Sequence, residues 1–207
     1  MTETARRLTP KGQATHDRIV AAAARLMLEQ GVARTTIEDI QAAAGVSPSQ
    51  LYHYFPGKDA LVTAVIDHQT TQALDVQQGC LERLDTIDSL GRWRDVMVNI
   101  LTEMHCVGGC PLGSLASDLS DSDPVARMQL AGAFSRWQEL IREGLTEMQD
   151  RGELAADANP ADLAVAMLAA VQGGLLLSQV NRDPAPLRIA VDTMIDHLHV
   201  LTHPATP

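Results

Sequence analysis

Residues 45–58 read GVSPSQLYHYFPGK, and the fold turns on this stretch. Gly45-Val46 makes a short turn with one residue free to take positive φ. Ser47 offers a side-chain oxygen as N-cap, and Pro48 stands at the first helical position, where its missing N–H costs nothing. The helix so opened carries Ser49, Gln50, Leu51, Tyr52, His53 and Tyr54 before Phe55-Pro56-Gly57 stops it and Lys58-Asp59 begins the next. A helix this short does not persist alone in water. Leu51 must dock on neighbouring elements, which leaves Ser49, Gln50, Tyr52, His53 and Tyr54 largely outward. That face is polar and aromatic with almost nothing aliphatic, as a surface that touches a partner is.

The two segments before it supply the platform. Residues 15–30 place Ile19, Ala23, Leu26 and Met27 at helical spacing, with Gly31 as a C-terminal stop. Thr35-Thr36-Ile37-Glu38 reads as a capping box with Thr35 as N-cap and Glu38 three residues on. Ile37, Ile40 and Ala44 form one apolar stripe. The order is long helix, short helix, Gly turn, short helix, and the last two elements match a helix-turn-helix whose second helix enters a major groove.

These residues resemble the TetR family of transcriptional repressors: Gly31, Thr35-Thr36-Ile37 through Ile40, Gly45-Val46-Ser47, and Leu51-Tyr52-His53-Tyr54-Phe55 followed by Lys58 and Leu61. The match is close over about residues 15–62 and looser downstream, and Pro48 departs from the small residue many relatives carry there. The resemblance implies an all-α homodimer of about nine helices. Residues 1–14 would be a flexible arm, 15–62 a helix-turn-helix DNA-binding domain, and 63–207 a ligand-binding and dimerisation domain.

Charge distribution fits that division. The chain carries a net −10. Residues 1–58 hold seven basic against five acidic residues, leaving nine basic and 21 acidic in the rest. A slightly basic head on a strongly acidic body suits end-on docking to a duplex through a modest number of phosphate contacts. Aromatic residues make up only 3% of the 207, so the core must be built of Leu, Ala, Val, Met and Ile. The polar N-terminus has no apolar signal segment. The longest unbroken apolar run, residues 163–171, is far short of the ~20 needed to span a bilayer. Three cysteines, an odd number, point to reduced thiols in the cytoplasm.

In the body, residues 58–84 form a helix with Leu61, Val65, His68 or Gln69, and Gln72 along one side. It begins in the head and ends in the body, so a change in one can tilt the other. Helices follow at 90–105, 112–120 with Cys110 as N-cap, from Asp123 to about 151, at 161–180, and at 184–201. The 161–180 segment is apolar all round, which calls for burial all round. A second copy of the chain is its natural cover, and the resemblance implies that these last two helices pair with their twins in a four-helix interface.

For DNA, the resemblance carries phosphate contacts onto Thr35, Tyr52, His53, Tyr54 and Lys58, and base-edge reading onto Ser47, Ser49 and Gln50, with Thr36 also in the DNA-binding set. Gln pairs bidentately with adenine, and Ser with either base type. Ser47 can equally be only a cap, and Tyr54 can equally pack beneath the short helix. An effector pocket between helices draws on Trp93, Met97, Leu101, Met104, Cys106, Cys110, Phe134, Trp137, Met167 and Val171, all of which can also be plain core. Cys110, at a helix start beside Gly108-Gly109, is either a low-pKa reactive thiol or a packed cap. His105, Cys106 and Cys110 lack a fourth ligand for a metal, and no phosphate loop, dinucleotide fingerprint or nucleophile elbow points to a cofactor or catalytic residue.

The resulting expectation is not an enzyme but a repressor. It binds a palindromic double-stranded operator as a homodimer and leaves it on binding a small hydrophobic or electrophilic effector, with no membrane partner. The alternatives are a helical thiol enzyme using Cys106 or Cys110 with His105, and an adaptor binding protein alone through Tyr52, His53 and Tyr54.

Overall fold

The computed structural model describes residues 8–75 and 84–202. The first seven residues of the expected arm, Cys80, and the stretch that would carry the fourth helix on to residue 84 lie outside them. The described residues form nine helices and no strand: α1 (Pro10–Gln30), α2 (Ile37–Ala44), α3 (Pro48–Tyr54), α4 (Lys58–Asp75), α5 (Ile87–Glu103), α6 (Pro111–Leu119), α7 (Pro124–Asp150), α8 (Pro160–Asn181) and α9 (Ala185–Thr202).

Proline placement explains many of the starts. Pro10, Pro48, Pro111, Pro124 and Pro160 stand in the first turns of α1, α3, α6, α7 and α8, behind the caps Thr9, Ser47, Cys110, Asp123 and Asn159. For α1 this moves the start five residues ahead of the expected Thr15, because the Thr9 hydroxyl accepts the Gly12 N–H at 3.2 Å. Residues 10–14 are therefore helix and not arm.

The α2 start also differs from expectation by one residue. Thr36, not Thr35, is the N-cap: its hydroxyl accepts the Asp39 N–H at 3.1 Å, and the Asp39 carboxylate accepts the Thr36 N–H at the same distance. Thr35 is turned inward, completely buried, and donates its hydroxyl to the Gly31 carbonyl at 2.9 Å. A C-terminal glycine in the left-handed region then reverses the chain: Gly45 has φ 61°, ψ 45° and donates back to α2 carbonyls.

Two apolar clusters fill the interior. One joins α1, α2, α3 and α4 to α6 and the first half of α7 through Ile19, Ala23, Met27, Ile40, Leu51, Phe55, Leu61, Val65, Ile66, Leu112 and Leu130. The other gathers α5, the second half of α7, α8 and α9 around Trp93, Met97, Trp137, Ile141, Leu145, Met167, Val171, Leu187 and Leu198. Phe134, half-buried, packs against both.

Helices α8 and α9 form the tightest pair. A Cβ on Gly174 would lie 2.7 Å from the Leu187 Cα, so the two backbones approach as only glycine allows. The Ser178 hydroxyl, buried in the same seam, accepts the Leu187 N–H at 3.1 Å. The other side of α8 has no cover among the described residues. Val165, Leu176, Leu177 and Val180 are half or more exposed, as are Ile189 and Val200 on α9. The nine-residue apolar run understated this helix. Its 22 residues are long and apolar enough to cross a membrane by length and composition: the most apolar 18 of them have a mean hydropathy of 1.8, and 33% of those are buried inside the chain. Gly174→Ala should lower stability by ~1–3 kcal/mol through forced separation of α8 and α9, read as a drop in thermal midpoint; an unchanged midpoint would mean that the seam yields freely.

Candidate nucleic-acid interface and body pocket

The short α3 helix is anchored chiefly through Leu51 and the Phe55 that follows it, and presents most of its other side chains. Leu51 is completely buried, Phe55 follows it into the core, and the burial of each is worth ~1.5–3 kcal/mol. Ser47, Pro48, Ser49, Gln50, Tyr52 and His53 are exposed. Tyr54 is half-buried, its ring 5.0 Å from His53 and edge-on to His16 of α1 at 6.2 Å. His16 itself lies 5.0 Å from the Phe55 ring, and its ring nitrogen, hydrogen-bonded to Asp17 at 3.1 Å, holds that carboxyl below the usual carboxylate range.

Ser47 and Gln50 are partly spent on each other. The Ser47 hydroxyl accepts the Gln50 N–H at 3.3 Å, and the Gln50 side-chain oxygen accepts the Ser47 N–H at 3.0 Å. The Ser-x-x-Gln spacing of a capping box stood in the sequence and was missed. The Gln50 amide nitrogen stays available to donate, whereas a bidentate adenine contact also needs the side-chain oxygen to serve a second donor.

Around the short helix the cations are arranged as caps. Lys58 opens α4 and donates from Nζ to the Val32 carbonyl at 2.6 Å; Arg18 donates from Nε to the Ala44 carbonyl at the end of α2 at 2.8 Å. Arg18 was not among the expected site residues, since a cation midway along a helix gives no spacing signal. Thr36 is exposed, but its hydroxyl and N–H are both engaged by Asp39, whose carboxyl these bonds hold below its ordinary range. A carboxylate therefore already occupies the α2 N-terminus. Thr35, completely buried and bonded to Gly31, has no side-chain route to a phosphate, which corrects that expectation.

In the body, a pocket of about 250 Å³ opens between the later turns of α4 and the end of α5. Its walls include Gln69 and Gln72 of α4, Met97, Ile100, Leu101 and Met104 from α5 and its C-cap, Gly108 to Pro111, and Trp137. Five expected residues thus meet there: Met97, Leu101, Met104, Cys110 and Trp137. Trp93, Met167 and Val171 do not; each is completely buried core. Phe134 bridges the two apolar clusters, and Cys106 is buried with 2% exposure; neither lines the pocket. Sequence periodicity could not separate pocket from core, because both are apolar and inward. Gln69 and Gln72, on the side of α4 already marked by spacing, were the available signal. A second, more polar cleft of about 600 Å³ runs between the end of α1, α6 and α8, with Arg34, Asp118, Gln172 and Gln179 in its walls.

The loop after α5 is tightly wound. His105, Cys106, Gly108 and Gly109 all have positive φ, between 53° and 90°. The Cys106 N–H donates to the Leu101 carbonyl at 2.8 Å, and its own carbonyl accepts from Arg182, the C-cap of α8, at 2.7 Å. Cys110 is the α6 N-cap, its Sγ accepting the Gly113 N–H at 3.4 Å. Burial pushes its thiol up from the ordinary range and outweighs the capping bonds. Of the two readings of Cys110, this favours the packed cap over the reactive thiol: the helix terminus is there, but desolvation of the half-buried sulfur outweighs it. Among the described residues no three His, Cys, Asp or Glu side chains converge as a metal-holding group.

The geometry is that of a helix-turn-helix DNA-binding regulator. Residues 19–65 match the family model described as "Bacterial regulatory proteins, tetR family", and residues 86–194 match "Tetracyclin repressor-like, C-terminal domain". The chain is 32% identical over 171 residues to an uncharacterized HTH-type transcriptional regulator in the lacX 3′ region of Lactococcus lactis subsp. lactis, covering 82% of this chain and 85% of that one. It is 30% identical over 174 residues to the HTH-type transcriptional regulator TtgR of Pseudomonas putida, covering 81% of each. A TetR transcriptional regulator from Chloroflexus aurantiacus superposes with a TM-score of 0.79 at 26% identity, over 91% of this chain and 96% of that one. The chain belongs to the TetR family of transcriptional regulators; it is a DNA-binding regulator and not an enzyme.

At neutral pH, alkylation of Cys110 by iodoacetamide should run several-fold slower than that of a free cysteine and climb steeply above pH 9, the direction set by a raised thiol pKa; peptide mapping by mass spectrometry reads the site. Fast labelling at pH 7 would instead mark an ionised thiol.

Proposed function

We propose that the protein is a ligand-responsive repressor. It binds a two-fold operator in double-stranded DNA as a homodimer and is released when a small hydrophobic molecule occupies the body pocket. The observation that carries this reading is α4. Its first residue, Lys58, belongs to the head, and Gln69 and Gln72, three turns on, wall the pocket. A ligand that binds best when α4 is tilted shifts the population of head spacings, and by linkage DNA shifts it back.

Residues 15–62 act as the DNA-binding unit and residues 63–207 as the regulatory and dimerising unit. Ser49 and Gln50 read base edges, with Ser47 holding the helix start; Tyr52, His53 and Tyr54 approach the backbone, with Lys58 at a helix N-terminus that favours phosphate. The exposed faces of α8 and α9, with Val165, Leu176, Leu177, Val180, Ile189 and Val200, support a two-fold four-helix contact with a second copy. Their apolar positions are interrupted by Gln172 and Gln179, which suits a protein partner better than lipid. The protein acts in the cytoplasm. Of the two effector chemistries expected, the hydrophobic one is favoured, since the thiol in the pocket wall is half-buried, serves as a helix cap, and is pushed up from its ordinary range by desolvation.

Sedimentation at micromolar concentration should give twice the 22.3 kDa chain mass; a monomer would refute the paired-helix reading. Selection from a randomised duplex pool, followed by fluorescence anisotropy, should return a two-fold site with half-site centres ~34–36 Å apart or a multiple of it. Against that site Gln50→Ala should relax base preference, while Lys58→Ala should weaken all sequences and reduce the salt slope by about one. An unchanged slope would remove Lys58 from the phosphate contacts.

A further inference from the structure

The body pocket holds a feature that its apolar lining alone does not explain. Trp137 is 3% exposed, and its indole Nε1 is buried with no hydrogen-bond partner among the described residues. A buried donor left unpaired is costly, and natural cores rarely keep one. Trp137 is also a wall of the 250 Å³ pocket, so an acceptor bound there can serve it. The remaining described walls contain no Asp, Glu, Lys, Arg or His. Gln69 and Gln72 sit half-buried and exposed on the α4 side, and Met97, Ile100, Leu101, Met104 and Leu175 supply the bulk. An ion entering such a space sheds its water and meets no countercharge. At ~30 Å³ for each water in the liquid, the volume equals that of about eight waters, enough for one ring and a small substituent.

We propose that this pocket takes an uncharged, mostly apolar molecule of one-ring size bearing a single hydrogen-bond acceptor, and that the acceptor receives the Trp137 indole N–H. The proposal rests on the ligand-responsive reading of the same pocket and narrows it. An apolar lining by itself discriminates weakly between similar molecules. A buried donor that must be satisfied discriminates strongly against those lacking the acceptor. Selectivity then lies with Trp137, while Met97 and Met104, flexible at the wall and the rim, adapt to ring substituents.

The test uses the full-length protein without DNA and a panel of one-ring compounds in matched sets: acetophenone-type ketones and aryl ethers, their alkylbenzene counterparts, benzoates, and benzylammonium ions. Binding is read by saturation-transfer NMR titration. Acceptor-bearing neutral members should bind at least tenfold tighter than the alkylbenzenes, and the ions should stay unbound at millimolar concentration. In Trp137→Phe the difference between ketone and alkylbenzene should collapse to within about twofold. Met104→Trp, placed at the exposed rim where a larger side chain is tolerated, should weaken every neutral member if Trp137→Phe fails to fold. Tightest binding by an ion, equal affinity of ketone and alkylbenzene in the unaltered protein, or no binding by any neutral member overturns the proposal. Operator binding by the same preparations separates the two levels. A protein that holds its duplex but ignores the neutral panel refutes the ligand class alone. One that shows the expected ligand pattern yet selects no duplex refutes the repressor reading alone.

Discussion

A seven-residue helix cannot hold itself in water, and the architecture of this chain answers that constraint. α3 gains little from its own hydrogen bonds, because most of its backbone groups lie within four residues of an end. It is fixed instead by Leu51 and Phe55 in the first apolar cluster, by the reciprocal bonds of Ser47 and Gln50, and by Tyr54 against His16. The side chains fasten it to neighbouring helices, and the Ser47–Gln50 pair closes its own first turn. The exposed row of Ser49, Tyr52 and His53 is thus rigid without contributing to its own rigidity, as a surface kept for a duplex requires.

The same cluster does not stop at the head. It continues through Leu61, Val65 and Ile66 of α4 to Leu112 and Leu130 of the body. Gln129 of α7 adds bonds to the Thr63 carbonyl and the Asp67 carboxylate, both 2.9 Å. Movement of the body therefore reaches α3 through packed side chains and not through a loose linker. The loop between α5 and α6 provides the other wall of the pocket, and Arg182, the C-cap of α8, ties it down by a bond to the Cys106 carbonyl.

The head was the most legible part of the sequence because its signals are local: Gly45 in the left-handed region, proline at the helix starts and Leu51 as the docking residue all follow from single positions and short spacings. The one-residue error at α2 arose where two threonines compete for the cap; which of Thr35 and Thr36 turns inward depends on the Gly31 carbonyl, a partner four residues away in a turn whose shape spacing does not encode. The two readings of Cys110 stayed open for a related reason. Its place at a helix start was visible, but its packing against both apolar clusters joins residues far apart in the chain. Pocket and core could not be separated among Trp93, Met97, Trp137 and Met167, since periodicity reports which way a side chain faces and not whether space remains beside it. The apolar character of α8 and its span were both plain, since 161–180 was expected and Pro160–Asn181 is found; two glycines and a glutamine break the apolar run without breaking the helix.

Val32 lies at the turn between α1 and α2, and its two peptide groups are claimed from opposite sides. The N–H donates to Asp118 of α6 at 2.9 Å, while the carbonyl accepts Lys58 Nζ at 2.6 Å. One residue is thereby polarised at once by an acid of the body and an ammonium of the head. Any anion that draws Lys58 aside releases the carbonyl, and any shift of α6 releases the N–H. Isotope labels at this position, 15N on the amide and 13C on the carbonyl, make a built-in two-channel gauge: each nucleus registers one half of the molecule, and their joint drift separates a disturbance that starts at the nucleic acid from one that starts in the regulatory core.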